Sequence, residues 1–181
     1  MSPAMLRDSN ALPSHGTADS LLPTLLDRLT DHAPQRAHDT LAEVAMTRKQ
    51  LRQIILRDLS WLLNATNGDT DPAIQAFAEV RRSTLNFGLP AFSGKRAADV
   101  KLADLEQEMR QSIALFEPRV IAQTLSVRSH VSNDNEAAHN MVVFEIRGQI
   151  WAQPYPIEML LKSSIDLETG SVSLLDQLGD S

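Results

Sequence analysis

The sequence predicts an α+β protein: N-terminal helices packed on one face of a C-terminal, mainly antiparallel four-stranded sheet. Three observations predict it. Two long stretches before Glu117 carry apolar residues at the helical spacing of three and four. After Pro118 the spacing changes to strict alternation, the period of a half-buried strand. Helices first and strands last segregate the two kinds of element, as in α+β layers and unlike α/β repeats.

Residues 1–19 mix Ser, Pro, Asn, Gly and Asp without periodicity, which predicts a flexible arm ahead of a single domain spanning 20–181. Ser20 is placed to cap a short helix through LLPTLLDRLT, with Pro23 in its first turn and Leu22, Leu25, Leu26 and Leu29 on one stripe. The following DHAPQRAHDTLAEVAM reads as linker and a short helix. The strongest local signal is TRKQLRQIILRDLSWLLNATN. Thr47 caps it, Leu51, Ile54, Ile55, Leu59, Leu62 and Leu63 keep the period, and Asn64 to Gly68 end it. Asp71-Pro72 opens a short helix in DPAIQAFAEV, and RRSTLNFGLPAFSGK reads as an ordered loop with extended pieces. A second long helix runs from Lys101 to Phe116 on Leu102, Leu105, Met109, Ile113 and Phe116. Pro118 stops it, because proline disfavours helical geometry in Glu117 and has no amide proton to donate.

In TLSVRSHV, Leu125, Val127 and Val131 share one face and Ser126, Arg128 and His130 the other. NDNEAAHN is a polar turn. MVVFEIRGQIWA then points Val142, Phe144, Ile146 and Ile150 inward against Glu145, Arg147 and Gln149, so two adjacent antiparallel strands are expected. IEMLLKSSIDLE and SVSLL complete the sheet as a hairpin across Thr169-Gly170.

Composition bounds the function classes. At 43% apolar and 22% charged residues the chain is globular, and with only 4% aromatic residues its core is expected to be mainly aliphatic. Seventeen basic against 23 acidic residues give a formal charge of −6, and no basic block is available to neutralise phosphates, so nucleic acid is not an expected partner. The absence of cysteine removes disulfides, thiolate metal sites and cysteine nucleophiles. MSPAMLRDSNALPSHGTADS lacks the apolar core of about 7–15 residues that a secretory signal needs, and no run approaches the ~18 of a membrane span. A cytoplasmic chain without membrane insertion is expected.

Chemical motifs are weak. GLPAFSGKR has one residue too many between Gly88 and Gly94 for a phosphate loop, and Arg96 stands where Ser or Thr should bind metal. His15, His32, His38, His130 and His139 show none of the short helical spacings used for zinc, and no serine sits in a nucleophile elbow. No cofactor, metal ligand or catalytic residue is assigned. A glycosidase would need two carboxylates about 5–9.5 Å apart, one with a raised pKa. Asp58, Glu117 and Glu145 are available, but Asp58 adjoins Arg57 and Glu145 lies beside Arg147, which favours the ionised form. Trp61 and Trp151 read as core or rim packing.

SIALFEPRV holds the feature of greatest interest. Glu117 and Arg119 are two apart, so in an extended backbone both point to one side, and Pro118 limits their freedom. They can pair with each other or with nearby backbone, or form a ready polar contact for a partner, with Arg119 the better anchor.

LRQIILRDLSWLLNAT, VRRSTLNFGLPAFSG, ALFEPRV and SSIDLETGSVSL, in that order, resemble the TssE family of type VI secretion baseplate wedge subunits, which is similar to the small, lysozyme-like wedge proteins of contractile-phage baseplates. The resemblance implies a non-enzymatic structural subunit at a membrane-docked cytoplasmic baseplate. It implies assembly with TssF, TssG and TssK and support for the TssB–TssC contractile sheath. It also implies that the Glu-Pro-Arg signature at Glu117, Pro118 and Arg119 is a subunit contact, and that the sheet seeds the sheath by strand addition. On this reading Glu117→Ala or Arg119→Ala leaves the isolated subunit folded while weakening assembly. The alternatives are a cell-wall glycosidase and a regulatory anti-adaptor of similar fold.

Overall fold

The computed structural model describes residues 24–30, 34–35, 46–91, 101–130 and 141–178. The expected arm, the Ser20 cap, the phosphate-loop lookalike at Gly94 to Arg96 and four of the five histidines lie outside them. Within them the chain forms helices α1 (Leu25–Leu29), α2 (Arg48–Asn64), α3 (Pro72–Gln75), α4 (Ala78–Arg81) and α5 (Leu102–Phe116). Strands β1 (Ser126–His130), β2 (Met141–Ile150), β3 (Ile157–Asp166) and β4 (Val172–Asp176) follow. The sheet is a meander in the order β1-β2-β3-β4, every pair antiparallel. The α+β expectation, helices first and a four-stranded antiparallel sheet last, is met.

Local chemistry explains most boundaries. Thr47 and Gln50 form a reciprocal capping box at the start of α2: Gln50 N–H donates to Thr47 Oγ1 at 3.2 Å and Thr47 N–H to Gln50 Oε1 at 2.8 Å. Leu51, Ile55, Leu59, Leu62 and Leu63 of α2 and Leu105, Met109 and Ile113 of α5 are buried. They meet Leu125, Val127, Phe144, Ile146, Ile150, Met159, Leu161 and Ile165 from one face of the sheet. Each such aliphatic side chain contributes about 1.5–3 kcal/mol by leaving water. The other face carries Arg128, Arg147 and Lys162 in solvent, and Glu145 stands directly across from Lys162.

Two local expectations are corrected. DPAIQAFAEV is not one helix: it breaks at Phe77, whose backbone is extended at φ −123° and ψ 109°. The break lets both pieces fold back on Asp69, whose carbonyl accepts from Gln75 Nε2 at 2.5 Å and whose carboxylate pairs with Arg81 at 3.3 Å. The leucine stripe of the first helix is not buried: α1 is capped by Thr24, and Leu25, Leu26 and Leu29 are exposed.

The loop after α4 is ordered, with a 3₁₀ turn at Thr84–Asn86 and an isolated parallel bridge between Thr66 and Leu89. Gly88 makes the bridge possible. Its φ is +122°, and a Cβ there would lie 2.2 Å from the carbonyl oxygen of Ala65, which already accepts from Leu89 N–H at 2.9 Å. Gly88→Ala is expected to cost about 1–3 kcal/mol in chemical denaturation, the scale of one strained backbone position; an unchanged midpoint would contradict the packing described.

Side chains of α2 also grip β4. Arg52 donates to Asp176 at 2.7–3.1 Å, and Leu178 N–H donates to Asp176 Oδ1 at 3.0 Å. Burial pushes this carboxyl up, but the hydrogen bonds from Arg52 and Leu178 outweigh it and hold the carboxyl below its ordinary 3.8. The stabilisation is therefore complete above the unfolded value and is lost as pH falls through the lower folded value. The stability gap between wild type and Asp176→Asn is expected to close in urea titrations as pH drops from neutral to below about 4; a constant gap would exclude Asp176 from the acid response.

Candidate functional site: the Glu-Pro-Arg turn

Helix α5 ends where the sequence places its stop. Glu117 N–H still donates to Ile113 at 2.9 Å, and then Val120 N–H donates to the carbonyl of Glu117 at 3.1 Å. That bond closes a four-residue turn with Pro118 in its second position, where the fixed φ of proline suits the turn. The backbone is therefore a closed turn, not the extended segment in which the spacing of Glu117 and Arg119 alone would set their side chains on one side. The turn is fastened to the end of β2, where Trp151 N–H donates to the Arg119 carbonyl at 2.7 Å and Ile121 N–H to that of Gln149 at 2.8 Å. Val120 and Ile150 form an antiparallel bridge between them.

The side chains meet even so. Glu117 is buried, 4% exposed, and its Oε1 accepts both the backbone N–H of Arg119 at 3.2 Å and its Nε at 2.6 Å; Oε2 pairs with Arg119 Nη2. The fork is shared, because Nη2 also donates to Asp58 Oδ2 at 2.6 Å. Asp58 in turn accepts from Arg57 Nε at 2.9 Å, and Arg57 Nη1 reaches Asp27 of α1 at 2.7 Å. The Arg57 guanidinium lies 4.8 Å from the centre of the Trp61 ring.

Asp27, Arg57, Asp58, Arg119 and Glu117 thus alternate in sign and tie α1, α2 and the turn together. Burial disfavours the charge of Arg119, but the bonds to Glu117 and Asp58 outweigh it and raise its pKa. The hydrogen bond that Arg57 donates to Asp27 raises the Arg57 pKa, and the same contact lowers the Asp27 carboxyl. Both arginines stay cationic, so the turn is an electrostatically fixed object.

Of the three residues singled out by sequence, Glu117 is sealed inside and Pro118 is exposed. Arg119 keeps 25% of its side chain in solvent. Its Nη1 is buried and finds no acceptor among the described residues. Trp151, joined to the turn by backbone, is 58% exposed, and Trp61 at the other end of the network is 52% exposed; both are rim residues. The exposed groups of the turn and its backbone partner are therefore Pro118, part of Arg119 and Trp151.

The three carboxylates available to a glycosidase are each paired to arginine: Asp58 to Arg57 and Arg119, Glu117 to Arg119, and Glu145 to Arg147. Asp27 and Glu108 escaped the sequence reading. Glu108 borders a cleft of about 270 Å³ with Asp69, Arg81, Asn86 and Ser112, and burial followed by the nearby Asp69 pushes its carboxyl up. No spacing signal links positions so far apart. Among the described residues, no group of three or more His, Asp or Glu could hold a metal.

A family model described as Baseplate wedge protein gp25 matches residues 49–155, more than half of the chain and including the Glu-Pro-Arg turn. The chain belongs to the baseplate wedge protein gp25 family. Neither the curated proteins nor the solved structures contain a match. Membership supports a structural role for this wedge protein within a baseplate, in contact with other baseplate proteins.

Proposed function

We propose that this wedge protein serves a type VI secretion baseplate as its TssE-type subunit, without catalytic activity, in the cytoplasm at the membrane-docked assembly. TssF, TssG and TssK are its wedge partners. The TssB–TssC sheath is the structure whose assembly it supports, by strand addition at a free sheet edge. The observation that carries the reading is the Glu-Pro-Arg turn, which ion pairs lock on its inner side and which leaves Pro118, Arg119 and Trp151 outward. A contact fixed before binding costs less ordering entropy on assembly.

Carboxylates that are each held by arginine suit support better than proton donation, which weighs against the cell-wall glycosidase. The anti-adaptor alternative would return a protease adaptor in a pull-down. The test is sheath assembly in cells that lack their own wedge subunit. Supplying this chain is expected to restore sheath foci, and foci that form equally well without it would overturn the proposal.

A further inference from the structure

The apolar core lies on one face of the sheet. On the other face the outward side chains of all four strands are exposed or half-buried. The register lays them in rows. Arg128, Glu145, Lys162 and Leu175 stand side by side from β1 to β4, and Arg147 and Leu160 occupy a neighbouring row. Arg147 Nε donates to Glu145, so the carboxylate at the centre of the face is taken. Arg128 and Lys162, about 10 Å apart across two strand spacings, are exposed and make no ion pair among the described residues.

The nearby acids do not cancel them. Glu106 of α5 feels the charge of Arg128 from beyond the sheet edge, but its Oε1 accepts from Ser129 N–H at 2.7 Å and from Ser129 Oγ at 2.6 Å. Glu158 and Asp166 stand toward the two ends of β3, and Asp166 accepts from the backbone of Glu168 at 2.8 Å. The centre of the face is thus basic in a chain whose formal charge is −6. Beside Lys162, Leu175 is 61% exposed, and Met141 on β2 is 47% exposed.

We propose that this outer face of the sheet docks an acidic protein surface on a neighbouring baseplate subunit, with carboxylates set against Arg128 and Lys162 and an apolar group over Leu175. The choice of a baseplate subunit rests on the reading given under Proposed function; the acidic character rests on the face itself. Two unpaired cations would neutralise about two phosphates, far short of the roughly 6–10 contacts that hold a protein on nucleic acid. Charged groups around exposed aliphatic side chains instead match the mixed chemistry of a protein interface. Extent agrees: strands of 5, 10, 10 and 5 residues cover about 500 Å² at ~3.4 Å by ~4.8 Å per residue, over half of the ~800 Å² per partner in a standard interface.

The test is binding of the full chain to purified TssF–TssG complex over a salt series, with Arg128→Glu/Lys162→Glu against wild type. The double reversal is expected to weaken binding at least about ten-fold at low salt, and the difference should shrink as salt rises, as charge pairing across an interface requires. Arg128→Gln/Lys162→Gln removes charge without setting a new acid opposite Glu145; it should melt with the wild type and show an intermediate loss of binding. Equal binding by wild type and both variants would overturn the docking face and leave the wedge reading standing. Failure of the wild type itself to bind TssF–TssG would overturn both. Binding of the wild type to phosphatidylglycerol vesicles or duplex DNA, lost in the same variants, would overturn a protein as the occupant.

Discussion

Arg119→Ala is expected to destabilise the isolated wedge protein by about 3 kcal/mol, the low end of the roughly 3–5 kcal/mol lost when one member of a buried ion pair is removed. The low end applies because Arg119 keeps part of its side chain in water, whereas the Glu117 carboxylate it satisfies is sealed. At roughly 2–4 °C per kcal/mol for a chain of this size, the melting temperature should fall by about 6–12 °C. A double-mutant cycle with Glu117→Ala separates the pair from its surroundings. A coupling of at least about 1 kcal/mol is expected, within the range found for residues in one ion-pair network. Additive losses would show that the pair does not stabilise the turn. Both single variants should remain folded at 25 °C, because the loss is smaller than the typical 5–15 kcal/mol total. Arg119→Lys, which keeps charge but not the two-pronged fork, should recover only part of the loss.

Phe144→Ala is the second large effect. Phe144 is fully buried at the centre of β2, between Ser129 of β1 and Ser163 of β3. Truncation removes its contacts and leaves a cavity where both helices meet the sheet, at a cost of about 3–5 kcal/mol. The urea midpoint should fall with an unchanged slope. A loss below about 1 kcal/mol would mean that the cavity collapses and that helices and sheet do not share one rigid core.

These two residues differ in how far the sequence revealed them. Phe144 was legible because alternation in MVVFEIRGQIWA marks the inward face; the same signal located β1, and the Thr169-Gly170 turn between IEMLLKSSIDLE and SVSLL located β3 and β4. The two long helices were legible for the corresponding reason, since their apolar period spans several turns. The break at Phe77 was not, because it follows from hydrogen bonds to Asp69 outside the segment. At the turn, pairing of Glu117 with Arg119 was one of two readings open from spacing. The turn is not extended, because the bond from Val120 to Glu117 closes it. Asp58 and Asp27 join the network across 61 and 30 residues of chain, a tertiary fact that no local pattern encodes. The burial of Glu117 changes what mutation there means, because its loss acts first on stability. On the function proposed above, Pro118, Trp151 and the exposed part of Arg119 are the positions at which substitution would test partner contact.

Size-exclusion chromatography with light scattering, on this chain co-expressed with TssF and TssG, tests the structural-subunit claim most directly. The account predicts a stoichiometric complex that contains the chain and shows no turnover of peptidoglycan. A chain that elutes alone in the presence of both partners, or lyses peptidoglycan in a manner abolished by one carboxylate substitution, would contradict it.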